Sequence, residues 1–241
     1  NTGRSLYSHA IEHPKKRFSL SKPTKLAQGI GSFNKEVFIT SDEINSEIGL
    51  KAAAIAAQQG LPLSPDSVLK LSKNFKNLPT PWPREVREDL ITLIGAGREM
   101  IKVFEGLDQE NLISKWIPEW DHVRFLPQRN VLHRHTVDRH MLETAVEAAK
   151  LTRTVRRPDL LLFASLFHDI GKGYQGEDHS DYGAKLMVEL ATRIGFSKSD
   201  VQILEFLVRE HLTLSTAATR RDLDDPQTIA FVVEKVKTHE K

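Results

Sequence analysis

The sequence predicts an all-α chain, a C-terminal helical bundle preceded by a mainly helical linker region, and three observations carry that reading. Apolar residues recur at three- and four-residue spacing from Ser41 onward, Ser or Asp stands before several of these stretches, and Gly or Pro closes or opens them. At 241 residues the chain can bury an ordinary core without staples. It has no cysteine, which excludes disulfides, thiolate metal sites and a cysteine nucleophile, and fits a reducing cytoplasm.

In chain order, residues 1–30 are basic and weakly periodic. Arg4, Lys15, Lys16, Arg17, Lys22 and Lys25 face only Glu12, and they read as a solvated edge rather than a nucleic-acid arm. Phe33 and Val37–Ile39 flank Asn34-Lys35 as a hairpin signal. Ile44, Ile48, Ala52 and Ile55 predict a helix from Ser41 to Gly60, and Ser64-Pro65 starts another. Pro79, Pro81 and Pro83 open a single long helix with Val86, Leu90, Leu93, Ile94, Ile101 and Phe104 on one side, weakened by Gly95 and Gly97. A short helix over Asp108–Trp116 follows. The domain boundary is placed between 128 and 129.

Beyond it the punctuation sharpens. Helices are expected over Thr136–Arg153, Asp159–Ile170 and Ser180–Ile194, then from Ser197 to about His211, and last from Asp225-Pro226. The longest apolar run, Leu160–Phe167, is far short of the roughly 20 residues that cross a bilayer, so no membrane association is expected. Because the chain begins at Asn1 rather than Met, it is expected to be a piece of something larger.

Chemistry gathers in the C-terminal half, where seven of the ten histidines lie between His122 and His211. Phe167-His168-Asp169-Ile170-Gly171-Lys172 ends a helix apolar nearly all round, so an imidazole and a carboxylate leave a rigid, dry support. A buried carboxylate without a partner costs several kcal/mol, and a cation is the economical partner. The pair keeps company with His140, His179, His211 and an aspartate at 222, 224 or 225. Asp225 is better explained as the cap before Pro226.

This ordered set resembles the HD superfamily of metal-dependent phosphohydrolases over about 90 residues, from His140 to Gln227. The resemblance implies two divalent ions. His140, His168, Asp169 and a late aspartate, taken as Asp222 with Asp224 in reserve, would hold one, and His179 and His211, with Asp169 bridging, the other. Imidazole and carboxylate ligands without thiolate suit Mn, Fe, Zn or Mg, and Mg²⁺ or Mn²⁺ is the expected pair of ions, with Fe and Zn the alternatives. Lys172 would neutralise phosphoryl charge as a catalytic group beside His168 and Asp169, and Arg134 and Arg139 would contact phosphate. His133 and His135 read as surface or supporting groups.

A narrower likeness is carried by Trp120, Gln128-Arg129-Asn130, His133–His140, the stretch Gly173–Gly183 and Arg220–Pro226, with Gly60–Pro65 in the preceding helical region. These residues are similar to the bifunctional PII uridylyltransferase/uridylyl-removing family. That likeness implies a uridylyl-removing activity on a tyrosine of the nitrogen-regulatory protein PII, with UMP or AMP as the nucleotide released. Family members begin with a nucleotidyltransferase domain carrying Gly-Ser and an Asp-x-Asp pair. Here Gly31-Ser32 is followed by Asp42-Glu43-Ile44, so no transferase activity is expected of this chain, nor glutamine sensing without the family's C-terminal ACT domains. The alternatives are a small-molecule HD hydrolase acting on nucleotides, and a non-catalytic module that docks PII.

Overall fold

The computed structural model describes residues 22–128, 135–174, 176 and 178–236. It opens with a three-stranded antiparallel sheet in the order β1 (Thr24–Ala27), β2 (Ile30–Phe33) and β3 (Glu36–Ile39). The β2–β3 turn is Asn34-Lys35, both at positive φ, the mirror-image turn whose twist matches that of paired strands. The expected hairpin is therefore present, with β1 added to it. Ile30, Val37 and Ile39 are buried, and the outer edge of β3 is covered because Val37 N–H donates to Pro62 O while Ser64 N–H donates to Val37 O.

Helix α1 (Ser46–Gln58) begins later than the apolar spacing predicts, because the Asn45 side chain accepts the Ile48 N–H at 3.0 Å and fixes the first turn there. Ala52, Ala53, Ala54, Ala56 and Ala57 are all buried, and their short side chains let α3 approach. Ser64 caps α2 (Pro65–Lys73) as its sequence implies. The single long helix expected after Pro83 is instead two, α3 (Arg84–Gly95) and α4 (Arg98–Gln109). Gly97 sits between them at φ +64°, ψ −134°, a non-helical conformation that a residue with Cβ rarely adopts.

The short helix α5 (Leu112–Trp116) starts at Asn111, also at positive φ, and a 3-10 turn, Pro118–His122, drives Trp120 into the core. There its ring meets Phe104 at 5.0 Å and Phe167 at 6.4 Å, both edge-on. The rest is helical: α6 (Val137–Ala149), α7 (Pro158–Phe167), a 3-10 turn (Ile170–Gly173), α8 (His179–Ile194), α9 (Lys198–Arg209), α10 (Thr213–Arg220) and α11 (Pro226–Val236). Asp178 and Ser197 cap α8 and α9, and Gly195 ends α8 at φ +91°. Helix α10 has no counterpart in the sequence-based expectation.

One apolar cluster runs from Ile30 to Val208 and joins both halves of the chain. Trp82 N–H donates to Arg193 O at 2.9 Å, and Arg87 donates to Gly195 O, so the residues opening α3 are fastened to the end of α8. No helix among the described residues is long and apolar enough to cross a membrane.

Candidate metal centre

Leu160, Leu162, Phe163, Ala164, Leu166 and Phe167 bury α7 on nearly every side, so the residues at its end have a fixed support. His168 and Asp169 follow it. The His168 Nδ1 lies 2.9 Å from Ser165 O, and the His211 Nδ1 lies 2.7 Å from Val208 O. A carbonyl can only accept, so each ring carries its proton on Nδ1 and presents the Nε2 lone pair.

Those lone pairs converge on Asp169, which is 2 % exposed. Its Oδ2 lies 3.2 Å from His168 Nε2 and 3.6 Å from His140 Nε2, while its Oδ1 lies 3.4 Å from His211 Nε2 and 3.8 Å from His179 Nε2. Two groups result, His140, His168 and Asp169, and Asp169, His179 and His211, each with ligand atoms within 4.8 Å of one another. The second contains three buried atoms that meet no hydrogen-bond partner: Asp169 Oδ1, His179 Nε2 and His211 Nε2. An acceptor carboxylate facing two imidazole lone pairs is what a cation satisfies, so the residues fit divalent metal.

Residues 137–237 match the family model described as HD domain. The chain carries an HD domain. Its likeness to curated proteins extends further: the chain is 48 % identical over 222 residues to the bifunctional uridylyltransferase/uridylyl-removing enzyme of Streptomyces coelicolor, covering 91 % of this chain and 26 % of that protein. The protein of the same description from Mycobacterium tuberculosis H37Rv is 43 % identical over 230 residues, covering 94 % of this chain and 28 % of its own length. The chain thus spans about a quarter of the length of the curated relatives it matches.

Electrostatics within the HD domain oppose burial. Burial alone would raise the Asp169 pKa, but the surrounding His168 and His211 imidazoles and the Lys172 ammonium hold it well below the usual carboxylate range. Burial lowers the His179 pKa, helped by His211 and Lys172 and opposed by Asp169. Both shifts keep the groups in the protonation states that bind metal.

Glycine brings the two ligand-bearing segments together. A Cβ on Gly171 would stand 2.1 Å from His179 O and 2.6 Å from Gly183 N, so no side chain fits there without moving one of them. Lys172 follows, with its Nζ 2.7 Å from Asp169 Oδ2.

The HD domain does not bring every expected residue to this point. Asp222 lies exposed between α10 and α11, its Oδ1 accepts the Asp224 N–H at 3.0 Å, and it belongs to neither group among the described residues. Asp224 is exposed as well, and Asp225 accepts the Gln227 N–H at the start of α11. Arg139 pairs with Glu143 at 2.8 Å and Glu105 at 2.5 Å. His135 is exposed, and His133 and Arg134 lie outside the described residues. An aromatic stack that sequence reasoning missed stands beside the centre: Tyr174 is 4.3 Å from His122 and 4.4 Å from Tyr182, centroid to centroid. Its only trace in the sequence is Tyr182, one helical turn beyond His179.

Proposed function

We propose that the HD domain is a metal-dependent phosphodiester hydrolase that removes UMP or AMP from a tyrosine of a PII signalling protein, in the cytoplasm. The observation that carries this reading is one buried carboxylate, Asp169, shared by two sets of imidazoles. The substrate is taken from the uridylyl-removing description of the relatives and from the narrower likeness described above. Two divalent ions fit the donor set, with Mg²⁺ or Mn²⁺ proposed and Fe or Zn the alternatives, and when bound they would polarise phosphoryl oxygens and make water a better nucleophile.

His140 and His168 would hold one ion, His179 and His211 the other, and Asp169 would bridge them. Asp222 remains the proposed further ligand, with Asp224 in reserve, and it would have to give up its bond to the Asp224 N–H to serve. Lys172 would place its ammonium beside the phosphoryl oxygens and offset charge that grows during displacement. Arg139 and Arg134 are proposed phosphate contacts, and Arg139 must release Glu143 or Glu105 to act. A tyrosine leaving group, with a pKa of about 10, departs with little protonation, so no dedicated general acid is required. We assign residues 129–241 to the hydrolase unit and 1–128 to the helical region that precedes it.

The test is nucleotide release from modified PII by the purified chain, alongside elemental analysis. Replacement of His168 by Ala should abolish release and lower the metal content. Undiminished release by that variant ends the proposal.

A further inference from the structure

The groups around Asp169 are not equally enclosed. His168 and His211 keep little exposed surface, whereas the side chains of His140, His179 and Lys172 are 32 %, 28 % and 25 % exposed, so the centre opens to solvent past these three. Two of them lead to tyrosines. Tyr182 is three residues beyond His179 in α8, so both side chains leave the same face of the helix, about 4.5 Å apart along its axis. Tyr174 is two residues beyond Lys172, and its N–H donates to Gly171 O at 3.1 Å, closing the turn that carries Lys172.

Close backbone contact fixes these rings beside the centre. The Ile170–Gly173 turn is pressed against α8 at Gly171, and at its other end against His122, where a Cβ on Gly173 would stand 2.4 Å from His122 O. His122, Tyr174 and Tyr182 are thereby gathered into one stack. Tyr174 is its middle ring, tilted by 35° to His122 and by 36° to Tyr182. Both tyrosines are half-buried against the core, but His122 is exposed: Tyr174 covers one side of the imidazole and the rest meets solvent. At the far end Lys185 Nζ stands over the Tyr182 ring, 6.0 Å from its centroid, which leaves the His122 end as the open one.

The chemistry of this surface narrows its occupant. Burial, with Tyr182, Glu119 and Glu189, raises the Tyr174 pKa, so the stack brings no phenolate charge against an anionic ligand. Aromatic rings with exposed surface favour a flat ring, and stacking tolerates any nucleobase because each has a π-face. A nucleotide also holds its base a ribose away from its phosphate. The surface that receives the base must therefore stand apart from the metal ligands, as this stack does.

We propose that His122, Tyr174 and Tyr182 form the base subsite of the centre, holding by stacking the nucleobase of a nucleotide whose phosphate lies at Asp169. The proposal rests on the hydrolase reading and adds the part of the substrate that the metal groups do not touch.

The test measures, by calorimetry on the purified chain with Mn²⁺ present, the affinities of UMP, AMP, ribose 5-phosphate and phenyl phosphate. UMP is expected to bind about tenfold more tightly than ribose 5-phosphate, within the range that one stacked base contributes, and AMP at least as tightly as UMP. His122→Ala, a change at an exposed position, should abolish that preference and leave ribose 5-phosphate unchanged; Tyr174→Phe, which keeps the ring, should retain it. Equal affinity for UMP and ribose 5-phosphate in the unaltered chain, or binding of neither, overturns the proposal, as does a preference that survives His122→Ala. Tighter binding of phenyl phosphate than of UMP would overturn it too, by giving the stack to the tyrosine side of the substrate. Should modified PII keep its nucleotide while the UMP preference holds, the hydrolase reading falls and the base subsite stands.

Discussion

Arg193 donates to Glu119 through two parallel hydrogen bonds, Nη1 to Oε1 at 2.8 Å and Nη2 to Oε2 at 2.6 Å, and so ties the last turn of α8 to the 3-10 turn that buries Trp120. The Glu119 side chain is 9 % exposed and that of Arg193 27 %. Loss of one partner strands the other in a poorly solvated place. Glu119→Ala should lower stability by about 2–4 kcal/mol. Urea unfolding followed by circular dichroism measures it, and an unshifted midpoint would show that the pair contributes nothing.

Asp169→Asn keeps the shape of the side chain but halves its acceptor capacity and removes its charge. Because both imidazole groups converge on this residue, ion content should fall at both positions together rather than by half. Elemental analysis after dialysis reads the result. Retention of one equivalent of metal would refute the shared role.

Gly171→Ala and Gly106→Ala form a matched pair. At Gly171 the added methyl would overlap His179 O and the Gly183 backbone, so a destabilisation of about 3 kcal/mol or more is expected, with displacement of His179. At Gly106, within α4, nothing lies within 4 Å, and alanine should stabilise by about 0.5–1 kcal/mol. Thermal melts of the two variants should therefore move in opposite directions.

Asp89 supplies a pH signature away from the HD domain. Burial pushes its pKa up to about 6, with Lys51 opposing and Glu88 and Glu85 adding to the rise. An acid whose pKa is higher folded than unfolded binds more protons in the native state, so it is a liability above about pH 6 that fades as pH falls toward 4. Asp89→Asn should stabilise the protein by about 1–2 kcal/mol at about pH 8, with the gain shrinking at about pH 4.5. Denaturant midpoints at the two pH values decide it; a gap independent of pH contradicts the assignment.

Features written in local chemistry were legible in the sequence. Asn34-Lys35, the Ser64 and Ser197 caps and Gly195 each act within a few residues of themselves, and the structure puts them where the sequence does. Features that depend on tertiary partners were not. The break at Gly97 was hidden because α3 and α4 both turn apolar sides to one core, and their spacing continues across it. Helix α10 buries only Ala217, and β1 is at most half-buried, so neither leaves a periodic trace. In the metal centre, spacing and resemblance led to His140, His168, Asp169, His179 and His211, which the fold gathers. Asp222 was chosen from three neighbouring aspartates, and the unforeseen α10 lies between it and His211.

The apolar cluster from Ile30 to Val208 has a mechanical corollary. A chain cut at 128 would bare the packing surfaces of Phe104 and Trp120, so the helices before α6 serve as a foundation, not a tether. If a longer relative swings its other parts over the Asp169 centre, the pivot must lie outside this block, and that centre rides with everything from the small sheet onward.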